Sequence, residues 1–241
     1  MPSLARLTWA MEKPDAIVAR DVGAIPESGG ESLCEAVDLR AGLKVLDVSP
    51  GGSSCSLAAV CPRCEVTSID TAAAGFPLPF ANGAFDIVLS SFGVTCAPNG
   101  VRLAHELLRV CRTTGRIGLA MWTPNGFMGR LLEVVGRHAG WRSTIPSQEF
   151  EDQLENWFRM SVCDLHTTYR DVVFRHRSPE DWVDALQTID GPVQKVFAGL
   201  PREARRRLGS ELLYLIDDFN IGTPSTVVVH SQYAIVVVLK K

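Results

Sequence analysis

Short apolar runs alternate with amphipathic stretches through the first half of the chain. The runs are rich in β-branched residues and are separated by small or turn-forming residues, which is typical of buried strands. The amphipathic stretches repeat their apolar positions at helical spacing. The alternation predicts a parallel sheet with helices on both faces. The predicted strands are 43–48, 66–70, 85–90 and 116–121, and the predicted helices are 31–39, 55–60 and 101–111.

The second half has a different pattern, with more helices and longer strands. Its predicted helices are 126–138, 148–158, 178–188, 193–200 and 203–218. A strand is expected at 164–176, and 226–240 is expected to form one strand or a hairpin. No internal repeat and no linker is visible. We therefore expect one domain over residues 1–241, with a core in 1–123, a helical cap with one strand in 124–222, and a strand in 223–241 that completes the sheet.

Composition and charge exclude several functional classes. The chain has 241 residues, with 24 Lys and Arg against 27 Asp and Glu, and lacks the basic footprint of a nucleic-acid-binding protein. Its longest apolar run, 233–239, is far shorter than the roughly 20 residues that span a bilayer. Residues 1–13 do not have the pattern of a secretory signal. We expect a cytoplasmic protein with neither nucleic-acid nor membrane partners.

A loop of small residues follows the first predicted strand of the core. It contains Ser49, Gly51 and Gly52 and comes just after Asp47. Such a turn lets the backbone approach a ligand, and the helix that follows presents free amides to an anionic group. Asp70 ends the next strand, where a carboxylate can accept hydrogen bonds from ribose hydroxyls. The alternative is a tight turn between strand and helix that binds nothing.

Several further segments share a pattern with one known family. The sequence resembles class I S-adenosylmethionine-dependent methyltransferases, of the branch that includes the ubiquinone and menaquinone biosynthesis C-methyltransferases. The resemblance implies an α/β, Rossmann-like sheet, S-adenosylmethionine as cofactor and a small-molecule substrate. It rests on residues 45–54, 67–70, 78–80, 83–86, 90–93, 105–110 and 115–123.

The resemblance also implies roles for individual residues. Asp47, Ser49, Gly51 and Gly52 would contact the methionine part of the cofactor, and Asp70 would hold its ribose. The residues expected to line the floor near the sulfonium and the substrate are Ser90, Ser91, Phe92 and Gly93, and those expected to form another wall of the cleft are Trp122 and Thr123. No catalytic residue is identified, because methyl transfer from a sulfonium does not demand a general base.

The chain departs from the family pattern in two places. Pro50 and Ser53 alter the glycine-rich turn, and the segment between Asp70 and Phe85 is too short for the family's third helix and third strand. We therefore expect a shortened sheet, of order 2-1-4-5-7-6 in the family's strand numbering. The residues that would replace the missing adenine site are Leu78 and Phe80, as an apolar clamp.

Other patterns are weaker. Cys61 and Cys64 form a CxxC, but its position after a predicted helix favours a structural role, and no metal site is expected. His176, His230 and Tyr169 are conceivable bases, although each lies in or near a predicted strand. Aromatic residues of the cap could line a substrate pocket, or could belong to the core: Trp141, Trp157, Phe158, Trp182 and Phe197.

Two functional hypotheses follow from this sequence. The first is a methyltransferase acting on a small molecule. The second is a methyltransferase-like protein that has lost methyl transfer, with the cofactor either retained or lost, and that serves in a cyclisation or rearrangement in natural-product biosynthesis or as a non-catalytic binding subunit. A nicotinamide-dependent oxidoreductase fits poorly, because the turn lacks the GxGxxG spacing. A homodimer is a further expectation.

Overall fold

The structure is a computed structural model that describes residues 17–19, 25–49, 63–70, 77–96, 100–140, 150–158, 162–188, 192–223 and 226–241. Its strands are β1 (Ile17–Ala19), β2 (Lys44–Ser49), β3 (Glu65–Asp70), β4 (Phe85–Ser91), β5 (Cys111–Trp122), β6 (Val162–His176) and β7 (Val227–Lys240). Its helices are α1 (Ile25–Ala36), α2 (Gly93–Cys96), α3 (Gly100–Val110), α4 (Phe127–Ala139), α5 (Phe150–Phe158), α6 (Pro179–Thr188), α7 (Pro192–Gly199) and α8 (Arg202–Phe219).

The seven strands form one sheet in the order β1-β6-β7-β5-β4-β2-β3. Among them, β7 is antiparallel to both of its neighbours, and every other pair is parallel. The predicted α/β, Rossmann-like class is confirmed, and the six predicted strands occur in the predicted order. β3 lies at one edge, and residues 77–84, which precede β4, form neither helix nor strand. The segment 226–240 is one strand rather than a hairpin.

The other edge differs from the expectation, because β1 adds a seventh strand beside β6. Its three residues are too few to show a periodic pattern, so the sequence gives no signal for it. The helix predicted at 31–39 is also wrong at its beginning: α1 starts six positions earlier, at Ile25, across a segment that includes Pro26, Gly29 and Gly30. These residues have low helix propensity, so the local sequence does not indicate a helix there.

Two hydrophobic cores cover the two faces of the sheet. The first core contains side chains of α1, α4, α6, α7 and α8, and the second contains those of α3 and α5. Strand residues alternate between them: Ile87 and Leu89 of β4 belong to the first core and Val88 to the second. This alternation follows from the two-residue period of a strand, and it explains why the central strands are apolar almost throughout.

One glycine lets α1 approach the sheet. A Cβ atom on Gly118 of β5 would lie 2.8 Å from Val37 Cγ1, 2.9 Å from Leu89 Cδ2 and 3.3 Å from Leu33 Cδ2. These distances are shorter than normal carbon–carbon contacts, so a larger residue would push the helix away.

The helices of residues 124–222 pack on the sheet through the two cores. Trp182 and Phe197 lie in the first core, and Trp157 and Phe158 lie in the second. For these four side chains the structure therefore favours the core alternative over a pocket lining. Trp141 lies outside the described residues. No helix in the described part of the chain is both long enough and apolar enough to cross a membrane.

Candidate functional site at the carboxyl ends of the strands

The ends of four parallel strands bring most of the predicted site residues to one edge of the sheet. Ser49, at the end of β2, is paired in register with Asp70, at the end of β3. Ser91, at the end of β4, is paired with Ala120 of β5, two residues before Trp122. Ligands of open α/β sheets bind at this edge. We call this region the carboxyl edge.

A buried hydrogen-bonded group joins β2 to β4 at the carboxyl edge. The Ser49 hydroxyl donates to Asp47 Oδ1 and accepts a hydrogen bond from the backbone N–H of Ser91, at 3.0 Å. The side chains of Asp47 and Ser49 are almost fully buried. Since a buried carboxylate is stable only when its oxygens are hydrogen-bonded, this group fixes the end of β2, from which the small-residue loop departs.

The two serines at the end of β4 differ in how their hydroxyls are used. Ser90 Oγ donates to the carbonyl of Val48 at 2.6 Å. Ser91 Oγ is buried and has no hydrogen-bond partner among the described residues. A buried hydroxyl without a partner costs about 1–3 kcal/mol. Ser91 is therefore one described residue at this edge with a polar atom that a ligand can use.

Phe92 leaves the strand in a conformation that is unusual for a phenylalanine. Its φ is +57°, in the left-handed region, which costs an ordinary residue roughly 1–2 kcal/mol. Its N–H donates to the carbonyl of Ala120 at 2.8 Å, and its ring stacks on Trp122 with the centroids 4.4 Å apart. Both rings are buried in the first core. Long-range contacts hold this strained position, as is common at functional sites.

Polar groups of the last two strands continue the edge beyond Trp122. Thr123 Oγ1 donates to the carbonyl of Gln232 at 3.0 Å, and Gln232 Nε2 donates to Asp171 Oδ1 at 3.4 Å. Thr123 and Asp171 are buried. Asp171 could not be found from the sequence, because it interrupts the alternation of a strand and has no motif around it. The pairing of β6 with β7 brings it to this place.

The shortened segment before β4 is held by one arginine of α3. Arg109 donates to the carbonyls of Leu78 at 2.9 Å and Phe80 at 2.7 Å, and to Asn82 Oδ1 at 3.0 Å. It also forms a two-pronged ion pair with Glu106, at 2.7 and 2.8 Å, and Glu106 accepts the N–H of Leu78 at 2.7 Å. The hydrogen bond from Arg109 lowers the pKa of Glu106. We call this group the Arg109 clamp.

Leu78 and Phe80, the two residues of the predicted adenine contact, are both held by the Arg109 clamp but differ in burial. Leu78 is buried in the second core, with 2% of its surface exposed. Phe80 is half-buried and packs edge-on against Phe85, with the ring centroids 5.0 Å apart. Of the two side chains, Phe80 is therefore the one with surface left for a ligand.

Other predicted residues lie elsewhere or outside the described part of the chain. Gly51 and Gly52 belong to the undescribed segment 50–62, as does Cys61 of the CxxC. Gly93 begins α2. Two of the conceivable bases have structural contacts: His176 stacks on the core residue Trp182, and Tyr169 donates to Glu151. His230 is half-buried in β7. Among the described residues there is no cluster of three metal-ligating side chains.

A groove of about 580 Å³ lies on the sheet face that carries the first core. β7 supplies apolar residues to it, including Ile235 and Val237, and β6 supplies His166 and Arg170. Arg116 of β5 lies at one end, six residues before Trp122, or roughly 20 Å along the strand. The groove extends from there along the sheet to Arg170, which pairs with Tyr233 and is level with Trp122.

Comparison with known proteins gives a clear sequence relative. The uncharacterized protein Rv1403c of Mycobacterium tuberculosis H37Rv is 31% identical over 225 residues, covering 81% of this chain and 80% of that protein. This chain belongs to the Rv1403c family. A second uncharacterized protein of the same strain, Rv1405c, is 34% identical over 152 residues, covering 54% of each chain. No protein-family model matches the sequence.

Comparison with solved structures shows which fold this member of the Rv1403c family has. BH2331 of Bacillus halodurans C-125, a proposed methyltransferase, superposes with a TM-score of 0.57 at 16% identity, over 88% of this chain and 98% of its own. A cyclopropane-fatty-acyl-phospholipid synthase-like protein of Lactobacillus casei ATCC 334 superposes with a TM-score of 0.53 at 14% identity, over 89% of this chain and 90% of its own. The phosphoethanolamine N-methyltransferase 2 of Haemonchus contortus was solved with S-adenosylhomocysteine. It superposes with a TM-score of 0.52 at 12% identity, over 89% of this chain and 53% of its own. The fold is that of class I S-adenosylmethionine-dependent methyltransferases.

Proposed function

We propose that this chain is an S-adenosylmethionine-dependent methyltransferase that acts on a small molecule, as expected for the branch that its sequence resembles. The observation that carries the proposal is the carboxyl edge. There, Asp70 lies beside Ser49 in register, and the unused hydroxyl of Ser91 lies at the end of the neighbouring strand. A half-exposed carboxylate can accept hydrogen bonds from ribose hydroxyls, and a polar cofactor can satisfy a buried hydroxyl that has no partner among the described residues.

The residues at the edge fit the cofactor in distinct ways. Asp70 would accept hydrogen bonds from the ribose hydroxyls, and Phe80 would offer the adenine an apolar surface. The buried Asp47–Ser49 pair would fix the origin of the loop that meets the methionine part. When bound, S-adenosylmethionine supplies a methyl group already activated by the sulfonium. The chain's contribution is then to align the acceptor and exclude water, for which the buried ring of Trp122 and the side chain of Thr123 are suited.

One observation favours the second hypothesis, a methyltransferase-like protein without methyl transfer. Phe92 and Trp122, which the resemblance assigns to the site, stack on one another, and 6% and 5% of their surfaces are exposed. If this packing persists when ligands bind, the space for an acceptor is smaller than a methyltransferase needs. The cleft would then serve a different reaction, such as a cyclisation or rearrangement, or bind a partner.

The test separates binding from turnover. Replacing Asp70 with Ala should raise the Kd for S-adenosylmethionine by about ten-fold or more, because hydrogen bonds to a charged group contribute about 1.5–3 kcal/mol each. The matched control is Glu65→Ala, at the exposed opposite end of the same strand, which should leave the Kd unchanged. An unchanged Kd for Asp70→Ala would refute the role of that residue.

A turnover assay distinguishes the two hypotheses. Formation of S-adenosylhomocysteine in the presence of a panel of small oxygen, nitrogen and carbon nucleophiles would support methyl transfer. Cofactor binding with no product from any acceptor would support the second hypothesis instead.

A further inference from the structure

The amino-terminal part of β6 is an exposed sheet edge. β1 pairs with β6 at Val172, Val173 and Phe174, and β7 occupies the other side of β6 along its whole length. Within the described part of the chain, residues 162–171 have no strand on their outer side. Natural proteins commonly protect such an edge with proline or lysine, and this stretch contains neither. Its outward N–H and C=O groups therefore have no strand partner among the described residues.

The exposed side chains of this edge are complementary to themselves. Asp164 lies three residues before Thr167, and Arg170 lies three residues after it. Both side chains are exposed, and neither forms an ion pair with a described residue. Among the described residues, the one acceptor of a hydrogen bond from the guanidinium of Arg170 is the carbonyl of Tyr169, at 3.3 Å. Because both positions are even-numbered on one strand, their side chains lie on the same face of the sheet.

We propose that this edge pairs with the same edge of a second copy of the chain, in antiparallel orientation about a two-fold axis at Thr167. Asp164 then lies opposite Arg170 of the partner subunit, and the symmetry repeats this pair on the other side. Leu165 lies opposite Tyr169 of the partner subunit on the other face. The result is one sheet that continues through both subunits, with a self-complementary interface of the kind that two-fold dimers use.

The charges select this register over its neighbours. A two-fold axis perpendicular to the sheet places the even-numbered side chains of both subunits on the same face. Residues that lie opposite one another share a face, so they must both be even-numbered or both odd-numbered. An axis at His166 would place Asp164 opposite Thr168 and leave Arg170 without an acidic neighbour. An axis at Thr168 would place Arg170 opposite His166. The axis at Thr167 pairs the acidic and the basic side chain in both copies.

The test is the mass of the full-length protein in solution, by sedimentation velocity and light scattering. The unmodified chain should be a dimer at micromolar concentration. Asp164→Arg and Arg170→Asp should each raise the dimer's Kd at least about ten-fold, because two cross-strand pairs change from attraction to repulsion at once. An equimolar mixture of the two variants should form a one-to-one heterodimer, since its facing pairs are again of opposite charge.

The control is Arg175→Asp, which changes an exposed charge on the same strand beyond the pairing of β1 with β6. It should leave the dimer intact, and circular dichroism should show that every variant is folded. A monomeric unmodified chain would overturn the proposal and leave a segment of the same chain, or a different protein, as the partner of this edge. A dimer that withstands both charge reversals, a mixture that stays monomeric, or a dimer lost in Arg175→Asp would also overturn it.

Discussion

The Arg109 clamp gives a quantitative prediction about stability. Replacing Arg109 with Met keeps most of the aliphatic packing and removes the ion pair with Glu106 and the bonds to Leu78, Phe80 and Asn82. The side chains of Arg109 and Glu106 are 27% and 15% exposed, so the pair is only partly screened by solvent. At about 1 kcal/mol net for each bond, and with some replacement by water, the loss should be about 2–4 kcal/mol.

For a domain of this size, that loss corresponds to a fall in Tm of roughly 5–15 °C. The matched control is Arg130→Met. Arg130 also lies on a helix and pairs with a glutamate three residues away, Glu133, but their side chains are 47% and 43% exposed. The control should cost less than about 1 kcal/mol. Equal Tm values for the two variants, measured by calorimetry at pH 7, would refute the idea that the clamp holds the segment before β4.

The pKa of Glu106 adds a pH dependence with a defined sign. Arg109 lowers this pKa below the ordinary value of 4.5, so the ionised carboxylate stabilises the folded state. That contribution is fully present above the unfolded-state pKa and is lost as the pH falls through the folded-state pKa. The stability difference between the unmodified chain and Arg109→Met should therefore shrink below about pH 4.5. A difference that stays constant between pH 7 and pH 3 would contradict this explanation.

Three further predictions concern the core and its surroundings. Gly118→Ala should destabilise the protein by about 1–3 kcal/mol through overpacking, measured by urea unfolding. In the control Gly209→Ala the new Cβ would meet only one atom, at 3.9 Å, so this variant should be neutral or stabilising. Equal losses of stability would contradict the close approach of α1. Burial raises the pKa of Cys111 to about 11. Peptide mapping after iodoacetamide treatment of the folded protein at pH 8 should therefore find Cys111 unmodified and the half-buried Cys64 alkylated. Early labelling of Cys111 would argue against its burial. Lys240 donates to two carbonyls at the junction of α3 and β5, at 2.6 and 2.7 Å, and Lys240→Met should cost about 1–2 kcal/mol in the same unfolding assay; no loss would mean that water replaces it.

The sheet could be predicted because its strands carry local signals. The apolar runs of β2, β4 and β7 are bounded by turn residues, and their order follows from the family that the sequence resembles. Local signals failed where a strand depends on its neighbour. β5 begins at Cys111, five residues before the predicted position, because Cys111 pairs with Phe85 across an irregularity in the ladder. The intervening Thr114 and Gly115 suggest a turn in the sequence alone.

For the same physical reason, the sequence could predict that several candidate site residues lie at one edge of the sheet. Ser49 and Ser91 end strands, and Asp47 lies two residues before Ser49. Strand ends meet at one edge of a parallel sheet, so the proximity of these residues follows from topology. The stacking of Phe92 on Trp122 could not be predicted, because it depends on a left-handed residue held by a hydrogen bond from the next strand.

Cofactor binding is the central claim, and calorimetric titration of the purified full-length protein with S-adenosylmethionine and with S-adenosylhomocysteine tests it most directly. We predict micromolar affinity for both compounds, which is about −8 kcal/mol, because the carboxyl edge offers Asp70 and the unused hydroxyl of Ser91 to a polar ligand. No detectable heat with either compound, for protein shown to be folded, would contradict the proposed methyltransferase function while leaving the fold unchanged.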